Sequence, residues 1–375
     1  MIRRIDNRSR LQGLARLGQS VWIDWLSRDL LQSGGLQRLI TSHAVTGVTT
    51  NPTILDRAIG AGGAYDRQIR DLRGFGLQPV DSFAEIAATD VSDAAVQLLP
   101  LWQASGGADG YVSWEVDPAL AWNADATVTE VHRLQRRIDL PNLLVKIPAT
   151  EPGLRAIEDA IAAGHSINVT LIFSLERYAA VAESYLRGLY RAADARLDLS
   201  RIHSVASLFI SRIDTAADKL LDQDGSGRAL ALRGRLGIAS AKLAYQHFQE
   251  VFTGPRWEAL RAHGAMPQRP LWASTSAKDP AYRDVRYVEQ LIGPHTVTTL
   301  PETTLTAFED HGRVAPTIER QVEAAAEVIH AFADAGIDLR RLTDELERDG
   351  IAQFARSLDA VVERIRVLGQ TSLAA

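Results

Sequence analysis

Three ionisable residues interrupt three apolar stretches of the chain: Asp24 in "VWIDW", Glu115 in "GYVSWEVD" and Lys146 in "NLLVKIPAT". Short apolar runs of this kind read as strands covered on both faces, where an unpaired ammonium or carboxylate is costly. A shared pocket removes the cost, because the three groups then face one another. Together they form a kit for breaking a carbon–carbon bond beside a carbonyl. Burial lowers an amine's affinity for its proton and lets it attack a ketone to give an imine. One carboxylate, through a held water, moves protons at that carbon, and the other takes the proton of a neighbouring hydroxyl as the bond breaks.

Lysine usage sharpens the reading. Only Lys146, Lys219, Lys242 and Lys278 occur among 41 basic residues, so arginine serves wherever a plain positive charge suffices. A guanidinium stays protonated and is useless as a nucleophile, whereas a primary amine is not. Lys219 and Lys242 fall in helical stretches and are expected to be solvated.

The elements that must position these groups alternate along the chain. Eight strand-like runs begin near residues 21, 44, 110, 142, 165, 202, 269 and 295, separated by segments such as "LERYAAVAESYLRGLYRAA" with apolar residues at three- and four-residue spacing. Strand–helix alternation implies a parallel sheet, and eight repeats without a GxGxxG or P-loop predict a (β/α)8 TIM barrel with additional helices. The stretches 53–108 and 214–268 are long for one βα unit and are expected to hold helical insertions. The last ~70 residues read as helices closing a single domain over 1–375.

With 375 residues, 46% hydrophobic, the chain buries a large core. A net charge of −5 with no basic tract argues against a nucleic-acid partner. The absence of cysteine excludes disulfides and thiolate chemistry, and the nine histidines show no ligand spacing, so no metal is expected. The first twenty residues lack an apolar leader and no run of 18 apolar residues occurs, which predicts a cytoplasmic protein without a membrane partner. No signature of an oligomeric state is present.

Function in such a barrel lies at the C-terminal ends of the strands. Polar residues there are Asp24; Thr49, Thr50 and Asn51; Glu115 and Asp117; Lys146; Asn168 and Thr170; Ser207 and Arg212; and Ser274, Ser276 and Lys278. Asn51, ahead of Pro52, has an equal claim as a helix cap, and Asp117 ahead of Pro118 reads as a loop opener. Lys278, in "SAKDP", either pairs with Asp279 at the surface or faces a substrate anion.

With these residues in place, the chain resembles the transaldolases, especially the longer bacterial form. The resemblance runs through "GVTTNPTI" (47–54), "NLLVKIPAT" (142–150), "INVTLIFS" (167–174) and "SLFISRI" (207–213), in that order. It implies an enzyme that needs no cofactor and moves a dihydroxyacetone unit between small sugar phosphates in the pentose phosphate pathway. By the same resemblance Lys146 is the Schiff-base lysine, Asp24 the acid/base at the C4 hydroxyl, and Glu115 the carboxylate acting through a water held with Thr170. Thr49, Asn51, Asn168 and Ser207 then bind substrate, with Phe209 lining the pocket and Arg212 and Ser274 at the phosphate. The chain departs from the pattern in "ASTSAKD", where Ser276 stands in place of the arginine common in the family and Lys278 is the substitute cation. Two alternatives accompany this assignment. One is an aldolase cleaving fructose 6-phosphate to free dihydroxyacetone, and the other is a catalytically silent barrel acting as a binding protein.

Overall fold

The structure, a computed structural model, describes residues 9–371, so the first eight residues of the segment read as leaderless lie outside it. All eight expected strands form: β1 (Gln19–Ile23), β2 (Val45–Thr49), β3 (Tyr111–Glu115), β4 (Leu143–Pro148), β5 (Ile167–Ile172), β6 (Ser204–Phe209), β7 (Arg269–Ala273) and β8 (Thr296–Leu300). They close in sequence order into a parallel barrel, β8 pairing back onto β1. Helices surround it, as a (β/α)8 barrel requires.

Period-two alternation decides what each strand sends inward. Val112, Trp114, Leu143, Val145, Ile167, Val169, Ala206 and Leu208 pack outward against the helices in the main core cluster. Trp22, Tyr111, Leu144, Val205, Leu271 and Val297 point inward and fill the lower barrel. Trp22 needs room on β2, and a Cβ on Gly47 would lie 2.5 Å from its ring, so only glycine fits there. Below, Asp109 closes the barrel floor, accepting from the Trp22 indole at 2.9 Å and from Ser20, with Arg269 at 3.7 Å. Above the apolar layer the inward positions turn polar, Ser113 and then Glu115 on β3, Lys146 on β4 and Ser207 on β6, which brings these groups to the C-terminal mouth.

The stretch 53–108 contains the helices Pro52–Gly60, Asp66–Gly74 and Pro79–Ala104. They are fastened to the loop after β1 by Arg28, whose guanidinium donates to Asp90 at 2.8 and 2.9 Å, while Tyr65 donates to the other Asp90 oxygen at 2.8 Å. The last helix, Leu339–Thr371, runs over the mouth and packs on Pro52–Gly60, on Pro79–Ala104 and on β5.

One expectation fails here. Lys242, on the helix Leu236–Val251, is 4% exposed rather than solvated. Its ammonium donates to the Thr317 carbonyl at 2.6 Å and the Arg320 carbonyl at 2.8 Å, a pairing that makes burial tolerable. Lys219, by contrast, is exposed as expected. Among the described residues no helix is long and apolar enough to cross a membrane.

Candidate active site

Ten of the twelve residues to which the resemblance gives a role meet at one cavity of about 890 Å³ at the barrel mouth: Asp24, Thr49, Asn51, Lys146, Thr170, Ser207, Phe209, Arg212, Ser274 and Lys278. Glu115 and Asn168 do not line it and are buried on either side of Lys146. The strand register explains the grouping, since Glu115 lies beside Lys146 across β3–β4 and Lys146 beside Asn168 across β4–β5. Three adjacent inward positions thus form one polar layer.

Lys146 is 5% exposed. Its Nζ lies 3.3 Å from Glu115 Oε2 and 3.4 Å from the Thr50 carbonyl, with the Phe354 ring 5.6 Å away. These contacts are long for a charged donor, which ordinarily sits nearer 2.8 Å. Burial raises the Glu115 carboxyl above its usual range, although Lys146 and Arg212 pull the other way. Its Oε1 is buried without a protein partner among the described residues, and so is the Thr170 hydroxyl. Thr170 is set by an irregularity in β5: the next residue, Leu171, has φ 58°, and the pairing with β6 shifts between Val169 and Ile172.

Asp24 directly follows β1, its amide donating to the Leu300 carbonyl at 3.1 Å. Burial lifts its carboxyl to about 6, against the pull of Lys146, Lys278 and Arg57. Asn168 is fully buried, donating to Ser113 Oγ at 2.9 Å and accepting from Ser207 Oγ at 2.7 Å, so it orients Ser207 rather than opening to the cavity itself. Asn51 is the helix cap and also faces the cavity. Its Oδ1 caps the helix Pro52–Gly60 by accepting from Ile54 N at 3.0 Å, and the residue lines the cavity. Asp117 is the loop opener, accepting from Ala119 N at 2.8 Å.

Arg212 and Lys278 form a cationic end. The Arg212 guanidinium stacks against Phe209 at 5.3 Å and Phe354 at 5.9 Å. Ser274, at φ 55°, places its hydroxyl 2.9 Å from that of Ser211. Lys278 does not pair with Asp279, which takes Arg233 at 2.8 Å; it donates instead to Ser276 at 2.6 Å. Burial lowers its proton affinity while Asp24 raises it. Among the described residues no cluster of three or more metal-ligating side chains occurs.

Sequence reasoning missed the contribution of the last helix. Asp349, Gln353, Phe354 and Arg356 line the cavity from above, as does Arg57 from the helix after β2. The only sequence signal of the four residues on the last helix is a helical stripe in "DGIAQFAR", indistinguishable from any solvated face.

Comparisons with known proteins agree with this geometry. The family described as Transaldolase/Fructose-6-phosphate aldolase matches residues 21–365. A transaldolase of Thermobifida fusca is 46% identical over 95% of this chain and 97% of its own. One from Mycobacterium marinum is 48% identical over 96% and 98%, and a transaldolase 2 of Streptomyces avermitilis is 47% identical over 92% and 94%. Matched over residues 21–365 by the family and over more than nine-tenths of its length by such relatives, the chain belongs to the transaldolase/fructose-6-phosphate aldolase family.

Proposed function

We propose that this chain is a transaldolase that works through a Schiff base on Lys146. It takes a dihydroxyacetone unit from sedoheptulose 7-phosphate or fructose 6-phosphate and passes it to glyceraldehyde 3-phosphate or erythrose 4-phosphate, in the pentose phosphate pathway of the cytoplasm. The observation that carries the reading is a loosely held, buried amine in the wall of a cavity that also receives Asp24, with Glu115 at 3.3 Å.

Each step finds a group suited to it. The Lys146 amine adds to the ketose carbonyl once its proton has left, and Glu115, whose burial favours the protonated acid, is the nearest acceptor. Loss of water from the carbinolamine needs a proton delivered to the departing hydroxyl. The unpartnered Glu115 Oε1 and Thr170 hydroxyl are the two buried groups able to hold and orient a relay water. Asp24, ionised above about pH 6, takes the proton from the C4 hydroxyl as the C3–C4 bond breaks, leaving an enamine on Lys146 and a free aldose. Thr49, Asn51 and Ser207, the last steadied by Asn168, bind the dihydroxyacetone hydroxyls, and Phe209 walls the pocket. Arg212, Ser274 and Lys278 take the phosphate.

The alternative within the same family protonates the enamine and releases dihydroxyacetone. The relatives' shared name favours transfer. Product analysis decides: with fructose 6-phosphate and erythrose 4-phosphate the chain should form sedoheptulose 7-phosphate, and without acceptor it should release little dihydroxyacetone. Equal dihydroxyacetone release with and without acceptor would establish the aldolase instead.

A further inference from the structure

The cavity carries more positive charge than the imine chemistry uses. Besides Lys146, it is lined by Arg57, Arg212, Lys219, Lys278 and Arg356, against the carboxylates of Asp24 and Asp349. Many arginines elsewhere are spent on carboxylates, such as Arg364 on Asp56 at 2.9 Å, Arg177 on Glu151 at 2.9 Å and Arg256 on Glu183 at 2.7 Å. Arg57 and Arg356 have no such partner among the described residues, and both side chains are exposed at the rim of the cavity. An unpaired guanidinium at a cavity mouth is an anion receptor.

The two arms of the cation set differ in freedom. Arg212 is fixed between the rings of Phe209 and Phe354, at 5.3 and 5.9 Å. It follows β6, whereas Arg57 stands on the helix after β2, four strands around the barrel, and Arg356 on the helix crossing the mouth. The proposed donors pose a geometric problem that such a division solves. Once a ketose carbonyl is anchored at Lys146 in the wall, a seven-carbon chain carries its phosphate one carbon nearer the rim than a six-carbon chain does. A fixed guanidinium can serve as an inner contact common to both, but it cannot by itself follow the phosphate of the longer donor outward.

We propose that Arg57 and Arg356 form an adjustable outer arm that holds the phosphate of the longer ketose phosphate and so sets the enzyme's tolerance for donor length. Arg212 is then the inner contact that both donors share. The assignment rests on the transaldolase reading given above. It concerns binding: neither arginine takes part in bond breaking, so removing them changes KM and leaves the imine step alone.

The test compares kcat/KM for sedoheptulose 7-phosphate and fructose 6-phosphate in wild type, Arg57→Ala, Arg356→Ala, the double variant and Arg212→Ala. Loss of one charge-assisted phosphate contact corresponds to about tenfold. The double variant is expected to lose about tenfold or more on the seven-carbon donor, almost all in KM, and less than about threefold on the six-carbon donor. Arg212→Ala is expected to weaken both alike. Equal losses on the two donors in the double variant, or none on either, would overturn the proposal. Borohydride trapping with unphosphorylated dihydroxyacetone, done on every protein, separates this from the underlying mechanism. A wild type that yields no adduct on Lys146 counts against the imine alone, and the donor ratio still decides the role of the arginines.

Discussion

Lys146 and Lys242 lie at the same depth, 5% and 4% exposed, yet their surroundings differ in kind. Lys242 donates to two backbone carbonyls at 2.6 and 2.8 Å, and burial beside Arg320 brings its proton affinity down to about 8. Lys146 has only a carboxylate at 3.3 Å and a carbonyl at 3.4 Å, and it lines a cavity of about 890 Å³. A lowered proton affinity alone would nominate Lys242 as the nucleophile. Contact geometry and access reverse that choice, because an amine tied to two carbonyls away from the cavity meets no substrate. Tight partners make a buried lysine a structural pin, whereas a loose partner that can accept its proton makes it a reagent.

The comparison is most sharply broken by exchanging the amine. Lys146→Arg keeps the charge beside Glu115 but removes the nucleophile, and transfer should fall by ~10⁴-fold or more, the scale of losing a covalent catalyst. Lys242→Arg should leave turnover near wild type once the protein is folded. Retained activity in Lys146→Arg would refute the assignment.

Next come the carboxylates, each expected to cost ~10²–10⁴-fold in rate when neutralised. Glu115→Gln should slow imine formation, while Asp24→Asn should let the Schiff base accumulate because cleavage stalls. The wild-type rate should fall on the acid side with a midpoint near 6, where Asp24 becomes protonated, and that limb should vanish in Asp24→Asn. The same burial has a stability consequence. The native state binds the Asp24 proton more tightly than the unfolded chain, whose value is 3.8, so stability falls as pH rises from about 4 to about 6 and the full penalty is present above that. Asp24→Asn should therefore be more stable than wild type at pH 8 by about 3 kcal/mol, a gain that fades toward pH 4. Thermal unfolding at the two pH values checks the sign.

A smaller effect is expected at Lys278, whose removal should raise KM about 10- to 100-fold for phosphorylated sugars and leave unphosphorylated donors unchanged. An equal effect on both would return it to a purely structural contact with Ser276. Smallest in turnover is Lys242→Met, which leaves the Thr317 and Arg320 carbonyls without their donor. It should cost about 2–4 kcal/mol of stability while kcat at permissive temperature stays within about twofold.

The barrel was legible because its strands are written locally. Each is a short apolar run with turn residues at its ends, and alternation within "YVSWE" and "LLVKIP" decides that Glu115 and Lys146 point inward. The layer they share follows from register, which an eight-strand parallel order nearly dictates. Two features were not legible for the same physical reason. The partners of Lys242 lie 75 and 78 residues away, so nothing near "ASAKLAYQ" marks its burial. Likewise Gln353, Phe354 and Arg356 reach the cavity only because their helix crosses the mouth, a tertiary placement that a helical stripe does not encode. Asn51 shows a third case, in which cap and cavity residue were competing readings and the fold uses it for both.

The most direct test of the distinction between the two lysines is borohydride reduction of the protein with fructose 6-phosphate, followed by peptide mass spectrometry. A single dihydroxyacetone-sized adduct on Lys146, with Lys242, Lys219 and Lys278 unmodified, is the predicted result. An adduct on Lys242, or labelling spread over several lysines with Lys146 unmodified, would contradict it.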